Sequence, residues 1–304
     1  MKRQVKKHCD LHIHSSYSDG GLTPLEILTL AKKIGLQAIS ITDHNTVEGV
    51  KIAKKEAKRF GIEVLPGIEL DTTYKGYDFH ILGYSVNFSN KKFIETLEKI
   101  RGERKNREIE MAKKMRDLGF KINLGRLRDQ ALIAVLAKHH IAWLLMKRSE
   151  NRIKVYQEVG PYPTIHDIIS YYLKRGRPAY VPKKILKVDE IIKLIKDAGG
   201  IPILAHPGLI HPDWKITFES DKILMDLVKK GIQGFEVYTP KNTPPERKHY
   251  KALAKKLKVF ITGGSDFHGM GIIEGVWPED FKGRNFKAPY WIYERLKEAL
   301  KKKL

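Results

Sequence analysis

Seven short apolar runs alternate with helical patterns along the 304-residue chain, and no other feature limits its possible folds as much. The runs are Cys9 to Ser15, Leu36 to Thr42, Ile62 to Glu69, Phe79 to Val86, Ile201 to His206, Ile232 to Tyr238 and Val259 to Gly264. Short runs of this kind, bounded by turn signals, read as buried strands. Helices between them carry clear starts and stops. Thr23-Pro24-Leu25-Glu26 combines a capping box with proline at the first helical position, and Gly35 closes that helix. Thr46 to Phe60 predicts a second helix ended by Gly61, and Val188 to Ala198 a third ended by Gly199-Gly200. Strands alternating with helices build parallel β/α units, and seven of them predict an α/β fold closed as a TIM-like barrel.

From residue 102 to residue 182 this rhythm breaks. Ile109, Met111, Met115 and Leu118 follow a helical period, and no buried strand stands out. The pattern predicts a mostly helical insertion, 102–182, interrupting a barrel formed by 8–101 and 183–304. The insertion holds 17 Lys and Arg against 8 Asp and Glu, a net of +9, within a chain of net charge +22. Such a surface attracts polyanions, including nucleic acid. Heat adaptation, the competing explanation, usually adds charges of both signs. No apolar run approaches the ~20 residues needed to span a bilayer, and the basic start leads into no apolar signal segment. A cytoplasmic protein is expected, with nothing that calls for a membrane or an obligate protein partner. One cysteine, Cys9, excludes an internal disulfide and is expected at a buried strand position.

Side chains with metal-binding chemistry gather at the strand ends. His12 and His14 lie two apart at the end of the first run, so both imidazoles face one side. Asp19 follows in Ser18-Asp19-Gly20, His44 in Thr42-Asp43-His44-Asn45, and Glu69 in Pro66-Gly67-Ile68-Glu69. His80 lies in the fourth run and His206 ends the fifth, while Asp266 and His268 follow the seventh. Taken singly, each is more often a satisfied structural group. Groups near the carboxyl ends of barrel strands converge on one face, however, and nine of them there predict a shared site. Asp10 has the strand parity of His12 and is expected to orient an imidazole. Asp43 is expected either to cap the following turn or to support a ligand. His8, His166, His211 and His249 have no ligand context and are expected to be surface or structural.

As an ordered set these motifs resemble the PHP family, the polymerase and histidinol phosphatase family of phosphoesterases. The likeness spans residues 10 to 269 and implies a distorted seven-stranded β/α barrel. It also implies a site for two or three divalent ions (Mn, Fe or Zn). His12, His14, Glu69 and Asp266 would hold the first. Glu69 would bridge to a second with His80 and His206, and Asp19, His44 and His268 would hold the third. Glu69, His206 and Asp266 would then stand at the catalytic centre. Closely spaced metals lower the pKa of a bound water to about 7, so the implied reaction is ester hydrolysis by a metal-activated hydroxide.

Within the family, the insertion looks most similar to nucleoside 3′,5′-bisphosphate phosphatases and 5′-to-3′ exoribonucleases of short RNA. Their substrates would be small nucleotides or short 5′-phosphorylated RNA. Lys174, Arg175 and Arg177, near the insertion's end, are then candidates to hold the non-reacting phosphate, since Arg binds phosphate bidentately and Lys as a point charge. Lys138-His139-His140-Ile141-Ala142 departs from the Arg-Pro-His-Ile-Ala of such relatives. Lys138 keeps the charge without the fork, and His140 keeps the position for a phosphate contact. Two other readings remain: another PHP activity such as histidinol phosphate hydrolysis, or a non-catalytic nucleic-acid-binding module stabilised by metal.

Overall fold

The computed structural model describes residues 6–209, 218–269 and 285–301, so His211 lies outside the described residues. Strand β1 (His8–Ile13) runs through the interior, with Leu11 and His12 fully buried. Cys9 is buried as expected, and burial, followed by the charge of Asp10, pushes its thiol up to about 12. Helix α1 (Pro24–Ile34) begins with the predicted box, in which Thr23 and Glu26 cap each other's amides. It ends at Gly35, whose φ of 80° suits glycine. Strand β2 (Ala38–Ile41) pairs parallel to β1, helix α2 (Glu48–Phe60) returns, and the short β3 (Glu63–Val64) extends the ladder.

The run from Ile62 to Glu69 proves to be two strands in two sheets. Pro66 has no amide to donate, and the ladder stops before it. Strand β4 (Gly67–Tyr74) then starts a second sheet. A two-residue turn at Lys75 and Gly76, both left-handed (φ 49° and 83°), sends the chain back as β5 (Tyr77–Tyr84). So tight a connection joins antiparallel strands only. The hairpin therefore cannot be the parallel β/α unit that the spacing of apolar runs suggests.

Helices α3 (Lys91–Asp117), α4 (Leu124–Ile133), α5 (Lys138–Met146), α6 (Ser149–Glu158) and α7 (Ile165–Tyr172) follow. α3 runs unbroken through residue 102, so the helical region begins inside one continuous element. These helices bury Met111, Met115, Leu127, Ile141, Leu145, Ile168 and Tyr172 in a core of their own. Helix α8 (Val188–Asp197) leads to β6 (Ile201–Leu204), which is antiparallel to β5. The chain then forms α9 (Phe218–Lys230), β7 (Gly234–Tyr238), α10 (Pro244–Lys256), β8 (Phe260–Gly263), β9 (Ala288–Pro289) and α11 (Trp291–Lys301).

The closed seven-stranded (β/α)7 barrel is thus corrected. Among the described residues two mixed sheets form, in the orders β3-β2-β1-β9 and β4-β5-β6-β7-β8. They face each other across Cys9, Leu11, Leu82, Tyr84, Ile201 and Ile203. The Tyr84 hydroxyl donates to the Leu11 carbonyl (2.8 Å), tying one sheet to the other. Single bridges join the sheets at two seams, Ile13 with Phe267 and His44 with Glu69. Both seams lie among the candidate ligands.

Candidate metal centre

Glu69, on β4, is 1% exposed and is the hub of the site. Its Oε1 stands 3.4 Å from His12 Nε2, 3.1 Å from His80 Nδ1 and 3.3 Å from His206 Nε2. Its Oε2 stands 3.2 Å from both His14 Nε2 and His44 Nδ1. Five imidazoles therefore surround one carboxylate. Asp266 adds Oδ1 at 3.4 Å from His12 Nε2 and 3.2 Å from His14 Nε2. Asp19 lies 3.6 Å from His14, 3.7 Å from His44 and 3.4 Å from His268.

All nine sequence-predicted ligand positions come together here. Three sets have donor atoms within 4.8 Å of one another: His12, His14, Glu69 and Asp266; His14, Asp19, His44 and His268; and His44, Glu69 and His80. The first coincides with the expected first set, and the second adds His14 to the expected third. In the remaining set His44 takes the place expected for His206, which nevertheless approaches Glu69.

These donors fit cations better than they fit one another. His12 Nε2 and His14 Nε2 face each other at 3.1 Å. His14 Nδ1, Asp19 Oδ1, His44 Nδ1, Glu69 Oε2 and His206 Nδ1 are buried and have no hydrogen-bond partner among the described residues. Burial alone would strip protons from His14 and His80, but Glu69, with Asp266 for His14 and Asp71 for His80, pushes both up to about 10. Burial works against Asp19, Glu69 and Asp266 too, yet the surrounding imidazoles hold all three well below the usual carboxylate range. His44 goes the other way, to about 3, because burial there outweighs Asp19 and Glu69. A field this negative, which holds protons on imidazoles, equally favours divalent cations that displace them.

The local fold holds these groups under strain. His206 (φ 24°) and Asp266 (φ 55°) occupy the left-handed region, where a side chain costs about 1–3 kcal/mol. Gly264 lets the last loop lie against β1, because a Cβ there would stand 2.2 Å from the Cβ of His12. Asp43 grips the Ser15 amide (2.7 Å) and the hydroxyls of Ser15 and Ser18, fixing the loop that carries Asp19. Asp10 departs from expectation. It accepts from the amides of Ser265 (2.9 Å) and His12 (3.2 Å) and so fixes backbone rather than an imidazole.

The imidazole support comes instead from Glu236, which sequence reasoning missed. Fully buried on β7, it lies 3.0 Å from His12 Nδ1 and accepts from the His206 amide (2.9 Å). A single acid inside Phe235-Glu236-Val237 was the available signal. Asp71 was missed as well, although it sits two residues beyond Glu69 on the same strand face. Its Oδ1 is 3.1 Å from His80 Nε2, and its Oδ2 accepts from Arg104 (2.5 Å). His139 Nδ1 approaches Asp19 at 3.5 Å.

The expected substrate residues are more scattered. Lys138 is half-buried, and burial, then Lys183 and Arg107, holds its ammonium down at about 8. His140 accepts from the Ala137 amide (3.0 Å), and burial holds it at about 4. Lys174, Arg175 and Arg177 lie on an exposed turn after α7, with Lys174 Nζ 3.3 Å from His166 Nε2. His249 pairs with Asp221 (2.6 Å), away from the site, as its sequence context suggested.

Comparison with known proteins gives the chain a family and relatives. A family model described as "PHP domain" matches residues 10–201. The 5′-3′ exoribonuclease Rnm of Escherichia coli is 27% identical over 261 residues, covering 85% of this chain and 84% of that protein. The 3′,5′-nucleoside bisphosphate phosphatase of Chromobacterium violaceum is 26% identical over 263 residues, 86% of this chain and 87% of that one. A solved chain from Bifidobacterium adolescentis superposes with TM-score 0.79 at 24% identity and covers 96% of each chain, a likeness of fold.

Proposed function

The chain belongs to the PHP domain family and is a metal-dependent phosphoesterase, and we propose that it hydrolyses the 5′ phosphate ester of 3′,5′-nucleoside bisphosphates or of short 5′-phosphorylated RNA. The observation that carries the reading is the Glu69 carboxylate with five imidazole nitrogens at 3.1–3.4 Å. We assign two or three divalent ions of the Mn, Fe or Zn type to the site, because mixed imidazole and carboxylate donors suit them. His12, His14, Glu69 and Asp266 would hold one, Asp19, His44 and His268 with His14 another, and Glu69, His80 and His44 or His206 a third. When bound, such ions neutralise the phosphate's charge and supply a nucleophilic oxygen at neutral pH.

The chain's own residues set the geometry in which this chemistry operates. Glu236 fixes the ring of His12 and the backbone of His206, so both imidazoles enter the site at set angles. Arg104 holds Asp71, and Asp71 holds the far nitrogen of His80. The surrounding sheets keep these groups dry, which strengthens their interaction with a charged ester. The chain's excess of Lys and Arg over Asp and Glu favours the approach of polyanionic substrates. No helix among the described residues is long and apolar enough to cross a membrane.

The test is a substrate panel. The Mn²⁺-loaded protein is given adenosine 3′,5′-bisphosphate, a 5′-phosphorylated RNA pentamer, histidinol phosphate and a model diester. Selective release from the 5′ end of the first two is expected. Preference for histidinol phosphate would move the chain to another PHP activity, and RNA binding without turnover would make it a binding module.

A further inference from the structure

Between α3, β4 and residues 183–186 lies a cavity of about 440 Å³. Lys99, Arg104, Arg107, Lys183 and Lys184 line it, against the carboxylates of Asp71 and Glu103. Asp71 is shared with the metal centre, since its other face meets His80. The chamber therefore begins one side chain from the candidate metals.

Its two arginines differ. Arg104 donates Nη1 to Asp71 and Nε to the Leu136 carbonyl (2.6 Å). Arg107, 9% exposed, donates Nε to the Val181 carbonyl (2.8 Å) and Nη1 to Glu108 (2.7 Å). Its Nη2 is buried and has no hydrogen-bond partner among the described residues. Leaving such a donor unmade costs roughly 1–3 kcal/mol, more when it is charged. Glu108 offsets one cation there, while Lys138 meets the positive charge of both Lys183 and Arg107. The region thus holds surplus positive charge, and Arg107, which keeps an N–H without a partner among the described residues, lines a space large enough for a phosphate group.

We propose that this chamber is an anion subsite that holds a second phosphate of the substrate, with Arg107 Nη2 as donor and Lys183 as accompanying charge. The inference rests on the phosphoesterase reading above. It assigns the choice of substrate to the start of the insertion rather than to the exposed turn at Lys174, Arg175 and Arg177. A site built to bond a polar group discriminates strongly against ligands that lack it, because its own donors are then left unpaired. Esters with a second phosphate across the same ribose are therefore preferred over simple monoesters.

The experiment compares kcat/KM for adenosine 3′,5′-bisphosphate with that for adenosine 5′-monophosphate, using the full Mn²⁺-loaded chain. Arg107→Gln should lower this ratio about 10- to 100-fold, the worth of a charge-assisted hydrogen bond. Lys183→Gln, at a half-exposed position with little folding risk, should lower it several-fold, and Lys251→Gln, on α10, should not change it. A wild-type ratio near one, or a ratio unmoved in both chamber variants, overturns the subsite and leaves the phosphoesterase reading standing. If the wild type turns over neither ester, that reading fails instead. The calorimetric Kd for adenosine 3′-monophosphate then decides the subsite alone, with a weakening of tenfold or more expected in Arg107→Gln and no change overturning it.

Discussion

The α/β body holds its candidate ligands on strand ends and at the seams between two sheets, where neighbouring ladders fix the backbone. The helical insertion carries its charge differently, on helices and turns around a separate apolar core. Strand ends separated by a few ångströms can aim several short side chains at one point. Helices of long cations instead provide reach and adjustability, which suits binding a variable polyanion. The difference suggests a division of labour: the body does the chemistry, and the insertion selects what reaches it.

The sharpest break in that comparison would come at Glu69. Glu69→Gln keeps the shape but removes the charge that five imidazoles face. Turnover should fall by roughly 10³-fold or more, in line with losses for a central electrostatic group. Bound metal, read by elemental analysis, should fall by at least one equivalent. Near-normal turnover would mean that the body's geometry is not the catalytic one.

Leu145→Ala tests the other side. Leu145 is fully buried in the insertion's core, so truncation should cost about 2–5 kcal/mol. Denaturant unfolding should show a lower midpoint, while the native variant keeps its full metal content. Metal lost in parallel with stability would show that the two regions are one cooperative unit.

Glu236→Gln probes how much the body depends on support that no ligand motif announces. Metal affinity should weaken about 10- to 100-fold, the usual effect of removing a ligand's hydrogen-bonding partner. Raised Mn²⁺ should restore turnover, which separates positioning from chemistry. If turnover stays low at saturating Mn²⁺, Glu236 does more than orient His12.

These variants also mark how far the residues could be read in advance. Ligand-type side chains at strand ends were legible because two-residue spacing, as in His12 and His14, decides which side chains share a face. Glu236 was not, since an acid within a buried strand looks the same whether it serves a ligand or a backbone amide. Asp10 shows the converse: its parity matched the imidazoles, but its oxygen went to the amides of Ser265 and His12. Helix α1 was predicted from a capping box, a local interaction. Sheet closure is not local. The Lys75-Gly76 turn reverses the chain between the third and fourth apolar runs, so counting runs gave seven parallel strands where a hairpin stands. In the insertion, helical content was evident, but which cations face the site depends on how α3 docks on β4, a tertiary choice that composition does not encode.

The smallest effect is expected at the insertion's far end. Lys174, Arg175 and Arg177 are exposed and line no part of the chamber beside Asp71, so we place them against the RNA backbone beyond the first nucleotides. Replacing all three with Gln should leave kcat for adenosine 3′,5′-bisphosphate within about twofold, as surface changes away from a site usually do. Affinity for a longer 5′-phosphorylated RNA should fall at low salt, and the slope of log K against log salt should shrink by about two, the counterions released by three single-strand contacts. An unchanged slope would remove these cations from RNA binding and leave substrate choice to residues nearer the metals. A large loss on the small bisphosphate would instead mean that the turn folds over the site in solution, bringing the insertion's charge as close to the chemistry as the body's ligands.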